Sequence, residues 1–298
     1  MFKGSIAALV TPMTARGDLD VAAFDRLLDR HRDAGTHGIV VGGTTGESPT
    51  LSLVECCRLT ERALERLGGD MAVLAGCGTH STASSMAAAR AVCAVGADGC
   101  LVVTPYYSRP CQRGLIEHYR RVADASSKPI VLYNVPGRTG CDLLPESVEI
   151  LADHPQIVAI KEATGSLERG ERIVAACGGR LDLLSGDDGT YVDLMALGAV
   201  GVISVTANVV PGAMAAVCRA ALAGDFAQAV RLNGPLTALH RALLLESNPM
   251  AVKWVMAQLG WIDETLRLPM VPLDPMYFDE VMSACEAAGL TLAQAALA

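Results

Sequence analysis

The sequence predicts an α/β protein, a (β/α)8 TIM barrel with a C-terminal helical extension. Three observations predict it. Short β-branched apolar runs recur through the first two-thirds of the chain, each followed by Gly, Thr, Pro or Asp. Amphipathic stretches lie between them. After about Pro211 the strand signal stops and only helical patterns remain. Alternation of this kind implies right-handed βαβ units and a parallel sheet, and eight such runs favour a closed barrel over an open one.

The first run, residues 5–10, is ended by Thr11-Pro12, and the second, 37–41, enters Gly42-Gly43. Residues 71–75 form the third, and 98–103 stop at Thr104-Pro105. Residues 129–134 precede Val135-Pro136, and 157–161 are bounded by Pro155 and Gly165. The last two are 181–184, before Ser185-Gly186, and 200–205. Helices are expected at 21–34, 53–67, 85–95 and 114–125, and in the extension at 213–223, 226–245, 249–259 and 275–288. The division is therefore a catalytic barrel over 1–211 and a packed helical extension over 212–298. A Rossmann sheet competes, because Val41-Gly42-Gly43-Thr44-Thr45-Gly46 follows a strand. Its spacing is not G-x-G-x-x-G, and no acidic residue ends the next strand where a ribose needs one.

Composition narrows the function classes. With 51% hydrophobic and 19% charged residues the chain is globular. A net charge of −8 without a Lys/Arg cluster argues against a nucleic-acid surface. Ten cysteines without C-x-x-C read as reduced, mostly buried thiols of a cytoplasmic protein. Six scattered histidines lack metal-ligand spacing, so no metal is expected. The N-terminal apolar run is too short for a secretory core. The tract 197–217 is interrupted by Ser204, Thr206, Asn208 and Pro211, so it is not a membrane span.

In such a barrel the chemistry sits at the C-terminal strand ends. The sixth run ends in Lys161, one of only four lysines. Burial there disfavours an ammonium, and a free amine can attack a carbonyl to form a Schiff base. The alternative is a lysine snorkelling at a strand end. After the second run, Gly42 to Ser48 combines close-approach glycines with the hydroxyls of Thr44 and Thr45, suited to a carboxylate; otherwise the threonines cap the next helix. Tyr106, Tyr107 and Tyr133, three of the six tyrosines, stand after the fourth run and at the end of the fifth. Tyrosine hydroxyls can shuttle protons, and Arg138 can clamp a carboxylate with its guanidinium fork. Asp187 and Asp188 read as caps of the following helix, and Asn248-Pro249 as the start of a helix in the extension. Ile203 offers a backbone carbonyl toward the barrel mouth.

Gly43-Thr44-Thr45-Gly46-Glu47, Tyr133-Asn134-Val135-Pro136-Gly137-Arg138-Thr139-Gly140 and Val158-Ala159-Ile160-Lys161-Glu162, in that order, closely resemble the dihydrodipicolinate synthase family of class I pyruvate aldolases. The resemblance spans essentially the whole chain. It implies a lyase that condenses pyruvate with L-aspartate 4-semialdehyde in the diaminopimelate route to lysine, with no metal or organic cofactor. It also implies a homotetramer, a dimer of dimers. Lys161 matches the Schiff-base lysine and Tyr133 the acid/base. Thr44 and Tyr107 match the proton relay, with Tyr107 reaching in from a neighbouring subunit. Thr45 resembles the holder of the pyruvate carboxylate, and Arg138 that of the semialdehyde carboxylate. Gly186 and Ile203 match positions lining the lysine's pocket.

One departure concerns feedback by lysine. Tyr106 and Ser48 remain, but His80 and Ser84 replace an asparagine and a glutamate, and Leu53 and Cys56 stand where histidines or other polar residues are common. Losing the carboxylate removes a charge-assisted contact, so weak or absent inhibition is expected. The rival functions are a sister aldolase (N-acetylneuraminate lyase or a 2-keto-3-deoxy sugar acid aldolase) and a non-catalytic homologue that binds a keto acid.

Overall fold

Strands too apolar to face water on either side need cover on both, and the chain supplies it by closing the sheet on itself. The computed structural model describes residues 1–292. Its strands are β1 Gly4–Ala8, β2 Gly38–Val41, β3 Ala72–Gly76, β4 Gly99–Val103, β5 Ile130–Asn134, β6 Ile157–Glu162, β7 Asp182–Ser185 and β8 Gly201–Ser204. All pair in parallel in sequence order, and β8 returns to β1. The closing seam sets Gly4 beside Gly201, where a Cβ on Gly201 would stand 2.2 Å from the Gly4 carbonyl oxygen. Only glycine fits there.

Helices α1 Val21–Asp33, α2 Leu53–Leu67, α3 Thr82–Ala94 and α4 Gln112–Ala125 follow the first four strands. A single turn, α5 Pro136–Thr139, precedes α6 Pro145–Leu151, then come α7 Leu167–Cys177, α8 Tyr191–Ala196 and α9 Pro211–Leu222. Local chemistry sets their ends. Ser52 and Glu55 form a reciprocal capping box at the start of α2, and Gly68 closes that helix at φ 56°. Between barrel and helices lies the large outer core, while a smaller one fills the barrel and includes Ile6, Val40, Leu74, Leu101 and Val131.

Placed with the extension by a division at 211, α9 packs on β1, β8 and α1 as the eighth helix of the ring. Beyond it come α10 Phe226–Asn233, α11 Thr237–Ala242, α12 Met250–Gln258 and α13 Phe278–Ala287. The single helix expected over 226–245 is instead α10 and α11, parted by a 3-10 turn at Gly234–Leu236. Pro235 is the reason, because proline has no N–H to give and its ring crowds the preceding turn. The end of the predicted extension, 293–298, lies outside the described residues. Among those described, no helix is long and apolar enough to cross a membrane, and all ten cysteines are free, most of them buried.

Candidate active site

A β-bulge aims Lys161. Ile130 pairs with Ile157 but Val131 pairs with Ala159, so β6 carries one extra residue, Val158, against β5. Ile157 lies in the outer core and Ala159 in the inner one. The slip brings Lys161 into the barrel and opposite Tyr133. Both are 5% exposed, and Lys161 Nζ stands 4.3 Å from the centre of the Tyr133 ring. Among the described residues no ion pair involves Lys161; the lysine that has one is Lys253. Room for the Lys161 stem comes from Gly186, where a Cβ would stand 2.9 Å from its Cε and 3.0 Å from its Cγ. Ile203, at the end of β8, is buried in the same inner core as Tyr133.

The two aspartates after β7 do not cap α8. Asp187 Oδ2 accepts from the Thr190 hydroxyl at 2.7 Å, and Asp188 Oδ2 accepts from the amides of Val205 at 2.9 Å and Thr206 at 2.8 Å. Those amides follow the end of β8 and need an acceptor. Asp188 thereby fastens the turn carrying Gly186 to the segment just beyond Ile203.

On the opposite face of the same strand ends, Glu162 and Asn134 hold β5 and β6 together. Glu162 is buried and accepts from Asn134 Nδ2 at 3.0 Å and from the Thr164 amide at 2.8 Å. Burial raises the pKa of its carboxyl, and these hydrogen bonds oppose the rise. Asn134 also donates to Asp142 Oδ1 at 2.9 Å and accepts from the Leu143 amide at 2.9 Å. In the sequence both residues stand out only as parts of motifs; the ties they make beside Tyr133 and Lys161 are visible only once the strands are paired.

The turn after β2 brings the hydroxyls. Ser52 caps α2, which leaves Thr44 and Thr45 free of that task. Thr44 is half-buried and shares with Tyr133 the wall of a cavity of about 130 Å³. The turn sits tight over β3, since a Cβ on Gly76 would stand 2.1 Å from the Gly42 carbonyl oxygen. Thr45 is 2% exposed, and its Oγ1 accepts from Asn248 Nδ2 at 2.9 Å. Asn248 therefore does not cap; α12 starts at Met250 with Pro249 ahead of it. Its side chain reaches back to the barrel instead, and its carbonyl oxygen accepts from Arg138 Nη2 at 3.3 Å. Nothing local in the sequence signals this, because the partners lie 203 and 110 residues away.

Arg138 projects from α5 into an open depression of about 610 Å³ shared with Tyr106 and Tyr107. Tyr107 is 95% exposed, at φ 73°, and does not join Thr44 and Tyr133 within its own chain. One chain thus gathers Lys161, Tyr133, Gly186 and Ile203 at the barrel mouth, sets Thr44 on a shared cavity wall with Tyr133, and links Thr45 to Arg138 through Asn248.

Comparison with known proteins follows the same geometry. Residues 1–288 match the model of the dihydrodipicolinate synthetase family. A relative from Teredinibacter turnerae named 4-hydroxy-tetrahydrodipicolinate synthase is 48% identical over 289 residues, covering 97% of this chain and 99% of that protein. The crystal structure of a chloride-inhibited dihydrodipicolinate synthase from Acinetobacter baumannii complexed with pyruvate superposes with a TM-score of 0.96 at 43% identity, covering 98% of this chain and all of that one. That of a relative from Cyanidioschyzon merolae with lysine bound gives 0.94 at 35% identity, over 97% and 99% of the two chains.

Proposed function

The chain belongs to the dihydrodipicolinate synthetase family, and from that premise we propose how its barrel mouth carries out the reaction. Its activity is that of a 4-hydroxy-tetrahydrodipicolinate synthase, a lyase that condenses pyruvate with L-aspartate 4-semialdehyde through a Schiff base. Lys161 attacks the keto carbon of pyruvate, and loss of water leaves an iminium. That iminium draws electrons from the methyl group, which loses a proton to become an enamine. The enamine attacks the aldehyde, and the new alkoxide takes a proton. The semialdehyde's own amine then adds to the iminium carbon, displaces Lys161 and closes the ring.

Tyr133 is assigned the proton transfers to the carbinolamine and alkoxide, with Thr44 and the Tyr107 of a neighbouring subunit as relay. Thr45 holds the pyruvate carboxylate and Arg138 that of the semialdehyde. Gly186 and Ile203 shape the lysine's pocket. The observation that carries this assignment is a buried lysine without a counter-ion among the described residues, 4.3 Å from the ring of a buried tyrosine on the neighbouring strand. The outward-turned Tyr107 favours a tight dimer, within the homotetramer expected of the family. Free thiols accord with a cytoplasmic setting.

Borohydride with pyruvate should trap a covalent adduct on Lys161, identified by peptide mass. Condensation of pyruvate with aspartate semialdehyde, and no release of pyruvate from N-acetylneuraminate, separates this reading from the sister aldolases. Trapping without condensation would sink it.

Feedback by lysine should be weak or absent. The cavity behind Thr44 is lined by Ser48, Leu53 and Cys56 among others and, among the described residues, by no carboxylate. Beside it His80 packs edge-on against Tyr106 at 5.4 Å. Neither Leu53, Cys56, His80 nor Ser84 offers a lysine ammonium a negative partner. Initial rates at millimolar lysine should stay within about twofold of the uninhibited rate, a change of about 0.4 kcal/mol; strong inhibition at low concentration contradicts the argument.

A further inference from the structure

Asn248 belongs to the extension yet touches the groups assigned to both substrate carboxylates. It is 6% exposed, donates from Nδ2 to Thr45 Oγ1 at 2.9 Å, and accepts from Arg138 Nη2 at 3.3 Å through its backbone oxygen. A threonine hydroxyl has one proton and two lone pairs. With the Asn248 amide facing one lone pair, the Thr45 proton has to point elsewhere. Among the described residues no protein acceptor takes it; the hydrogen bond of this hydroxyl is the one it receives.

The geometry points to Asn248 as a positioning residue for pyruvate: its amide turns the Thr45 hydroxyl so that the proton is presented to the substrate carboxylate. This rests on the assignment of Thr45 to that carboxylate. A second tie holds the turn from below. Lys253, on α12, donates to Glu47 Oε1 at 2.7 Å, and Thr11 Oγ1 donates to the Gly46 carbonyl at 2.8 Å. Thr45 is therefore fixed by its neighbours in the chain and aimed by Asn248. The Arg138 contact uses a backbone oxygen, which every substitution of Asn248 keeps. Side-chain changes should then affect one substrate and spare the other.

The test uses the full-length enzyme with Asn248→Asp, Asn248→Ala and Thr45→Val. An aspartate of the same shape would accept the Thr45 proton and set a negative charge beside the substrate carboxylate. Its pyruvate KM should rise by about tenfold or more, with the semialdehyde KM and kcat within about threefold of wild type. Asn248→Ala should raise pyruvate KM less, and it carries the same test if the aspartate variant fails to fold. Combined with Thr45→Val, the uncharged Asn248→Ala should lose most of its effect on pyruvate KM, because there is no longer a hydroxyl to turn. Equal changes in both KM values, or none in either, overturn the inference. If Thr45→Val itself leaves pyruvate KM unchanged, the assignment beneath it fails; if only Thr45→Val raises it, the inference alone fails.

Discussion

Two lysines are buried in this molecule, one at the barrel mouth and one in the extension, and they differ in what surrounds the amine. Lys253 is 0% exposed and uses all three donors, on Glu47 Oε1 at 2.7 Å and on the carbonyls of Thr11 at 3.1 Å and Thr265 at 2.5 Å. Burial draws its pKa down while the Glu47 carboxylate works against the fall. Lys161 is almost as deeply buried, yet it faces an aromatic ring and has no ion-pair partner among the described residues. Burial alone therefore does not separate the two amines; the partners of their donors do.

Covalent chemistry should separate the two lysines by the largest margin. Lys161→Arg, which removes the primary amine, should abolish the borohydride-trapped adduct and lower kcat/KM by on the order of 10⁴-fold. Lys253→Met should still trap pyruvate at Lys161. An adduct on Lys253, or turnover surviving Lys161→Arg, would reverse the two roles.

Stability should divide the pair the other way. Lys253→Met strands the Glu47 carboxylate, which is buried and also accepts from the Arg267 amide at 3.0 Å. Breaking one side of such a pair costs about 3–5 kcal/mol. Adding Glu47→Gln removes the stranded charge and keeps the acceptor for that amide, so it should recover part of the loss. Lys161→Arg should stay much closer to wild type in denaturant unfolding, since Lys161 has no ion-pair partner among the described residues. If the double variant is as unstable as Lys253→Met alone, the pair's charge is not what holds the extension to the β2 turn.

The same two lysines mark how far the sequence could be read. Eight apolar runs at a regular interval reveal the barrel because parallel strands covered on both faces must be apolar throughout. The burial of Lys161 and Tyr133 at the barrel mouth was legible because both stand at the end of such a run, where a barrel collects its chemistry. The bulge at Val158 was not. Strict alternation from Ile157, which lies in the outer core, would have turned Lys161 toward the helices. The service of Asn248 and Lys253 to the β2 turn was hidden for another reason. Such contacts join residues 203 and 206 apart, and no local pattern encodes the path of the extension across the mouth. Gly234-Pro235 was present in the sequence, and the rule that proline ends a helix foretells the break between α10 and α11.

Histidines show a third way to settle a buried cation, and here the expected effect is the smallest. His31 and His118 are buried, with Nδ1 hydrogen-bonded to the hydroxyls of Thr36 at 3.0 Å and Thr82 at 2.9 Å. Burial lowers the pKa of each from 6.5 to about 4, so they stay uncharged where Lys253 keeps its charge by pairing. The sign follows from linkage. Between pH 6.5 and 4 the unfolded chain binds these protons and the folded chain does not, so stability is fully present above 6.5 and declines as pH falls toward 4. Each histidine contributes at most about 1.4 kcal/mol per pH unit in that window. Glu55, held down to about 2 chiefly by its hydrogen bond to Arg267, adds a loss of the same sign below its ordinary value of 4.5. Denaturant midpoints measured across this range should therefore slope downward with acid, and His31→Gln with His118→Gln should flatten the upper part of the slope. Histidine resonances titrating near 6.5 in the folded protein would mean that these rings reach water, and that burial is not what keeps them neutral.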